Sequence, residues 1–159
     1  LMAVKVLKLI IDKYPNAELV MIGPKKDDSF DEVKDFVDKF NLNVIFTGKL
    51  TKEEWVELSK KSNIFINTTH FDNTPVSVIE AMALGLPVIS TNVGGIPYLI
   101  KNNENGLLVD DNDIEKMAEQ IDKIIADNHL SERIAFEALE TVKEFDWKVV
   151  KNEWFKLLQ

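Results

Sequence analysis

Two carboxylates eight residues apart frame a short apolar segment near the middle of the chain. Asp72 precedes the pair Thr74-Pro75, and Glu80 follows within a run of valine, isoleucine, alanine and methionine. Threonine is favoured at a helix N-cap and proline at the first helical position, so a helix is predicted to begin here with Thr74 as its cap. The free amides of such a helix end, together with the helix dipole, can bind a phosphate or a diphosphate.

Glu80 is the unusual member of this segment, because its sequence neighbours predict that it is partly buried. A buried carboxylate is costly unless hydrogen bonds satisfy it. One solution is a donor from the protein, and the other is a ligand with paired hydroxyls such as a ribose or a sugar. Asp72 can overhang the helix start, so the two acids could flank one elongated, polyhydroxylated phosphoester. The residues alone leave both solutions open.

A glycine pair, Gly94-Gly95, closes the same stretch. It follows an apolar run at residues 87–91 that is predicted to be a strand. Glycine permits a positive φ or a close approach of the backbone to another group. A ligand could be that group, or the pair could form a tight turn from strand to helix, and the two interpretations are compatible.

The elements around these residues alternate between short apolar strands and amphipathic helices. Strands are predicted at residues 18–23, 43–48, 63–68, 87–91 and 106–109, and helices at 2–14, 31–40, from 51, from 74, and from 114 to the end with breaks near 128–129 and 146. This order indicates an α/β fold with a parallel sheet covered by helices on both faces. Such sheets bind ligands at the carboxyl ends of their strands, which directs attention to the loops at 23–28, 48–50, 69–74 and 91–95.

The composition excludes several classes of function. The chain has 159 residues, which suits one domain, and its net charge of −8 argues against a broad DNA or anionic-membrane footprint. It contains no cysteine, so disulfides and thiolate metal sites are excluded. No N-terminal signal and no membrane-length apolar run is visible, so the expected location is the cytoplasm.

The motif from residue 72 to residue 95 resembles a known family. Asp72-x7-Glu80, the segment EAMALGLPVISTNVGG at 80–95 and NGLLV at 105–109 are similar to the C-terminal domain of retaining, nucleotide-sugar-dependent glycosyltransferases of family 4. The resemblance covers nearly the whole chain. It implies a Rossmann-like sheet that forms one half of a GT-B fold. It also implies transfer of a sugar from a nucleoside-diphosphate sugar to a glycan or lipid-linked acceptor, with no metal, no other cofactor and no nucleic-acid partner.

The resemblance also assigns roles to individual residues. It implies that Asp72 contacts the sugar hydroxyls and Glu80 the ribose, as the two catalytic acids. Backbone amides at the helix start would hold the diphosphate, and the loop at 48–50 would lie near the base. The family usually has glutamate where Asp72 stands, so the sugar contact is expected to shift. The implied donor-binding residues are Gly48, Lys49, Leu50, Asn73, Thr74, Pro75, Val76, Ser77, Gly94 and Gly95.

The same resemblance predicts that residues 1–159 are a single nucleotide-sugar-binding domain taken from a longer protein. A first strand, a loop with a basic pair that grips the diphosphate, and an N-terminal acceptor domain are expected before Leu1. Lys25 and Lys26 could approach the phosphates or belong to a solvated loop. Weak nucleotide binding and little transfer are expected from this domain alone. Peripheral attachment of the full-length protein to the inner membrane face is left open.

Two other functions and several weaker signals are compatible with the sequence. A nucleotide-sugar epimerase of the same architecture and a non-catalytic interaction module remain as alternatives. Asp111-Asn112-Asp113 matches a D-x-D metal signature, but its place before a helix favours capping. His70 adjoins the acidic residue at 72 and could reach the donor or be incidental. Trp147 and Trp154 are expected to pack against other helices.

Overall fold

The computed structural model describes residues 1–25 and 29–158, and in it strands and helices alternate from residue 2 to residue 126 before a run of helices ends the chain. The predicted α/β class is confirmed, and all five predicted strands are present. The strands are β1 (Leu19–Ile22), β2 (Val44–Gly48), β3 (Phe65–Asn67), β4 (Val88–Thr91) and β5 (Leu107–Val109). The helices are α1 (Met2–Ile10), α2 (Ser29–Phe40), α3 (Lys52–Ser59), α4 (Val76–Ala83), α5 (Ile96–Leu99), α6 (Ile114–Ala126), α7 (Asn128–Val142) and α8 (Trp147–Leu157), with a 3-10 helix at Lys143–Phe145.

All strand pairs are parallel, but they form two sheets. β1 pairs with β2, while β4 lies between β3 and β5 in the second sheet. Within residues 1–25 and 29–158 no strand pairing joins the two sheets. Every residue of β4 is buried, as expected for a central parallel strand that is covered on both faces.

The first helix, α1, holds the two sheets together. Met2 and Val6 pack into the cluster formed by β4, β5 and α6, whereas Val4 and Leu7 pack against α2, β1 and β2. Residues two apart on a helix point in nearly opposite directions, so one helix can belong to both clusters. The third cluster lies between α4, α5, α7 and the second sheet and therefore supports the helix that carries Glu80.

Polar contacts also tie the end of α1 to α6. The hydroxyl of Tyr14 donates to Asp122 Oδ1 at 2.6 Å, and the ammonium of Lys13 pairs with the same oxygen. These two bonds hold the pKa of Asp122 below its ordinary value, and the bond from Lys13 has the larger effect. Ionised Asp122 therefore stabilises the folded protein at neutral pH, and this contribution is lost as pH falls through its lowered pKa. A depression of about 290 Å³ lies beside these side chains, and no predicted site residue lines it.

Aspartates explain the two breaks in the C-terminal helical region. Asp127 caps α7 by accepting from the amide of Leu130 at 3.0 Å, and Asp146 caps α8 by accepting from that of Lys148 at 2.7 Å. A short polar side chain that bonds the backbone in this way ends one helix and starts another. The first helix, in contrast, ends at Ile10 rather than at residue 14, because turn residues lead into Pro15.

The last helix, α8, leaves its aromatic residues uncovered. Trp147 is 68% exposed and Trp154 is 56% exposed, so the expectation that both pack against other helices is wrong. The main neighbour of α8 is the 3-10 helix that precedes it, and this short segment cannot cover an apolar face. In the part of the chain that the structure describes, no helix is both long and apolar enough to span a membrane.

Candidate functional site

The predicted site residues follow the carboxyl ends of three strands. Gly48 is the last residue of β2, the loop after β3 contains Asp72, and the loop after β4 contains the glycine pair. Parallel strands place their carboxyl ends at the same edge of a sheet, where helix starts and loops can converge on a ligand.

Two side-chain contacts hold the loop between β3 and α4, one at Thr69 and one at His70. Thr91, fully buried at the end of β4, donates its hydroxyl to the carbonyl of Thr69 at 2.6 Å. Nδ1 of His70 lies 2.6 Å from Asp111 Oδ1, in the loop after β5. One contact joins the loop to β4 and the other joins it to the loop after β5, so it is held from two sides before any ligand binds.

Gly94 and Gly95 hold the middle of the same loop. The amide of Gly95 donates to the carbonyl of Asp72 at 2.7 Å. Gly94 has a φ of +54°, and a Cβ there would lie 2.2 Å from the Asp72 carbonyl oxygen; a Cβ on Gly95 would lie 2.0 Å from that of Asn73. The close approach that requires glycine is therefore made to the protein backbone, and the pair positions Asp72 and Asn73.

The start of α4 differs from the prediction. Pro75, with φ −75° and ψ 78°, occupies the N-cap, and the helix begins at Val76, so the prediction that Thr74 is the cap is wrong. The reason lies in the loop, because the Asp72 carboxylate accepts from the amide of Thr74 at 2.9 Å and turns the chain one residue later.

This turn reduces the number of free amides at the helix end. The amide of Val76 donates to Thr74 at 2.8 Å, and that of Val78 donates to Pro75 at 3.0 Å. Within the described residues, the amide of Ser77 has no backbone acceptor. An anion at the helix start would therefore meet one free amide and the helix dipole, rather than the several free amides that the sequence predicted.

Glu80 is satisfied by a protein donor. Its Oε1 forms an ion pair with the ammonium of Lys52, the first residue of α3, and its side chain is 31% exposed. The apolar stems of Glu80 and Lys52 line an open depression of about 190 Å³ between α3 and α4, together with Trp55 and Leu84. The predicted partial burial of Glu80 is confirmed, since its side chain is neither sealed nor fully exposed.

The loop after β2 brings Lys52 to this depression. Gly48 has a φ of +70°, Lys49 is exposed and Leu50 is half-buried. Thr51 and Glu54 form the predicted capping box, with the Glu54 amide 3.2 Å from Thr51 Oγ1 and the Thr51 amide 2.8 Å from Glu54 Oε2. The box fixes the first turn of α3 and hence the direction of the residue that follows Thr51.

Replacing Thr51 by alanine is expected to lower the free energy of unfolding by about 1 kcal/mol, because the amide of Glu54 loses its acceptor, Thr51 Oγ1. Urea denaturation followed by tryptophan fluorescence measures this change. Thr51→Ser keeps the hydroxyl and is the matched control. Equal stability of the two variants would contradict a role for the cap.

The remaining candidate residues either make contacts away from Asp72 and Glu80 or lie outside the described residues. Asp113 caps α6 by accepting from the amide of Lys116 at 2.8 Å, as predicted. Among the described residues, no three histidine, cysteine, aspartate or glutamate side chains are grouped so that they could hold a metal. Lys25 pairs with Asp31 at 2.6 Å, and Lys26 lies outside the described residues.

The sequence did not reveal three residues that shape the site: Lys52, Thr91 and Asp111. Each acts on a residue more than twenty positions away, at 28, 22 and 41 positions respectively. The capping box predicted where α3 begins, but nothing in the spacing indicated that its first side chain faces Glu80.

Comparison with protein families identifies a relationship over most of the chain. Residues 2–141 match the model of the family described as glycosyl transferases group 1. A sulfoquinovosyl transferase of Arabidopsis thaliana is 27% identical over 96% of this chain and 31% of its own length. The capsular polysaccharide biosynthesis glycosyltransferase CapM of Staphylococcus aureus is 31% identical over 92% of this chain and 38% of its own length. The chain thus spans about a third of these relatives.

Solved structures share the same architecture. The C-terminal domain of a glycosyl transferase group 1 family protein, LpcC from Francisella tularensis, superposes with a TM-score of 0.79, with 26% identity over 89% of this chain and 76% of that chain. Anabaena HepE in complex with UDP-glucose superposes with a TM-score of 0.86, at 20% identity over 97% of this chain and 44% of that chain. The likeness to HepE concerns the fold alone.

Proposed function

Because the chain belongs to the family of glycosyl transferases group 1, we propose that it is the donor-binding domain of a longer, nucleotide-sugar-dependent enzyme of GT-B architecture. The longer protein would transfer a sugar to a glycan or lipid-linked acceptor with retained anomeric configuration, as a family 4 enzyme. The observation that carries this proposal is the arrangement around α4. A loop anchored through Thr69, Asp72 and Asn73 leads into a helix with the free Ser77 amide in its first turn and the partly exposed Glu80 one turn further on.

Each part of a nucleotide sugar has a proposed place in this arrangement. The diphosphate would meet the Ser77 amide and the positive end of the α4 dipole. The ribose hydroxyls would bind the Glu80 carboxylate in the depression beside α3, and the loop at residues 48–50 would border the base. Asp72 would contact the transferred sugar from the loop before the helix, near the residues at 73–76 and the glycine pair.

The chemistry that this site would contribute is stabilisation of the departing diphosphate. Breaking the bond between sugar and diphosphate places negative charge on the leaving oxygen. An amide and a helix dipole that are already oriented lower the energy of that charge without reorganisation during the reaction. We propose that this arrangement, rather than a metal ion, is the contribution of the domain.

A second domain of the same protein is the proposed partner, since transfer requires an acceptor in the cleft next to the donor. The relatives are about three times as long as this chain. The exposed apolar residues of α8, among them Trp147, Trp154 and Phe155, offer a surface for that domain. The division into two sheets supports a further strand between β1 and β3. A cytoplasmic location, with peripheral membrane attachment if the acceptor is lipid-linked, belongs to the same proposal.

Titration with UDP, GDP and ADP tests the proposed function on this chain. UDP-glucose is included because the structure of the Anabaena neighbour contains it. Weak binding is expected, with a Kd of about 1 mM, since only one domain surrounds the donor. Amide shifts in an NMR titration should appear at residues 48–52 and 72–80, and not at Tyr14 beside the depression between α1 and α6. If no diphosphate of the panel shifts residues 72–80, the proposed function is wrong.

A further inference from the structure

Lys52 occupies the carboxylate that the proposed function assigns to the ribose. Its ammonium pairs with Glu80 Oε1 across 28 positions of sequence, from the first residue of α3 to the middle of α4. Both side chains border the same depression. Lys60–Glu57 and Lys116–Glu119 are, in contrast, pairs three positions apart within one helical segment. The Lys52 pair is therefore a contact between elements, located at the mouth of the candidate nucleoside site.

Local structure does not favour a lysine at position 52. A cation at the first position of a helix is disfavoured by the positive end of the helix dipole. The capping box at Thr51 and Glu54 nevertheless sets the direction of this turn, so the lysine stem extends towards α4. The Lys52 side chain is 75% exposed, and its ammonium pairs with the carboxylate of the partly buried Glu80 side chain.

We propose that Lys52 sets the affinity for the donor by competing with the ribose for Glu80. This inference rests on the proposed function. Two vicinal hydroxyls bind a carboxylate best when both of its oxygens accept, and an ammonium bound to Oε1 takes one of the two acceptor sites of that oxygen. The diol therefore competes with the ammonium at Oε1, so in the free protein part of the nucleoside site is already occupied by Lys52. Lys52 is thus a specificity-determining residue that weakens binding by ligands that need the carboxylate.

The expected effect follows from the exposure of the pair. Ion pairs between exposed side chains are weak, so removing Lys52 should lower the Kd of a nucleoside diphosphate by about 1.5- to 5-fold. Salt should have the same effect on the native protein, because it screens the competing pair. An uncharged nucleoside isolates this response, since it has no charge whose own binding is screened.

The experiment compares Lys52→Met with Lys60→Met. Lys60 caps the other end of α3 and pairs with Glu57, so both substitutions remove one positive charge from the same region. The Kd of the best diphosphate in the panel is measured for each, and the Kd of the corresponding uncharged nucleoside is measured at low and at high salt. Lys52→Gln provides a second, polar replacement, and urea denaturation checks that all variants are folded.

Tighter binding in both Lys52 variants, unchanged binding in Lys60→Met and a salt-dependent gain only where Lys52 is present are the expected results. Combining Lys52→Met with Glu80→Gln should abolish the gain. Weaker binding in the Lys52 variants would mean that the lysine holds the ligand, and equal binding would mean that the pair is incidental; either result overturns the inference and leaves the proposed function standing. Absence of binding by any diphosphate overturns both.

Discussion

Gly94→Ala is expected to lower the free energy of unfolding by about 2–5 kcal/mol and to abolish measurable donor binding. A Cβ at this position would lie 2.2 Å from the carbonyl oxygen of Asp72, and the backbone has a φ of +54° that side chains disfavour. The left-handed conformation costs about 1–2 kcal/mol. Overpacking against backbone adds about 1–3 kcal/mol. Because the atom that must yield belongs to Asp72, the strain displaces the loop that carries the proposed sugar contact.

Two other glycines separate these contributions. Gly85 also has a positive φ, at +74°, but a Cβ there meets nothing within 4 Å. Gly85→Ala should therefore show the conformational cost alone. Gly95 has no such φ, yet its Cβ would lie 2.0 Å from the carbonyl oxygen of Asn73, so Gly95→Ala should show the steric cost alone. Urea denaturation gives the three free energies, and NMR titration gives the donor affinities.

The comparison has a clear contrary outcome. If Gly94→Ala is no less stable than Gly85→Ala and still binds the donor, then the loop that carries Asp72 can move away from the added Cβ without loss of stability or binding. In that case the contact with Asp72 does not position the site. Gly85→Ala is expected to keep donor binding, because Gly85 ends α4 on the side opposite to the loop.

Glu80→Gln is expected to weaken binding of a nucleoside diphosphate by about 10- to 150-fold. This factor corresponds to the free energy that a hydrogen bond to a charged group contributes. The amide keeps the shape of the side chain but lacks the negative charge and the second accepting oxygen, so the two ribose hydroxyls can no longer each bond a separate charged oxygen. The free energy of unfolding should change by less than about 1 kcal/mol, because the ion pair lost with Lys52 is exposed. Isothermal titration or NMR titration measures the affinity.

A deoxynucleotide identifies the group that Glu80 binds. The native chain should prefer a ribonucleoside diphosphate over its 2′-deoxy analogue, and the preference should shrink towards one in Glu80→Gln. Glu57→Gln is the matched control, since Glu57 is also a helical glutamate paired with a lysine, outside the depression. A preference for ribose that is the same in all three proteins would assign the hydroxyls to another residue.

Much of the fold was predictable because its signals are local. Five strands and the order of the helices follow from apolar spacing, and the capping residues Thr51 and Asp113 follow from a polar side chain three positions before its amide partner. The family also follows from sequence, since the segment from residue 72 to 95 lies in one continuous motif. These features depend on residues that are near neighbours in the chain.

The contacts that give the candidate site its shape were decided by the tertiary structure. Spacing predicted a cap at Thr74, but the Asp72 carboxylate takes the Thr74 amide and moves the cap to Pro75. Spacing also left open what satisfies Glu80 and what the glycine pair approaches. Lys52 satisfies Glu80, and Gly94 approaches the backbone of Asp72. Both partners belong to other elements, which packing between α3, α4 and the second sheet brings together. Hydrogen bonds within a turn are set by chain geometry, whereas partners more than twenty positions apart are set by how the elements pack.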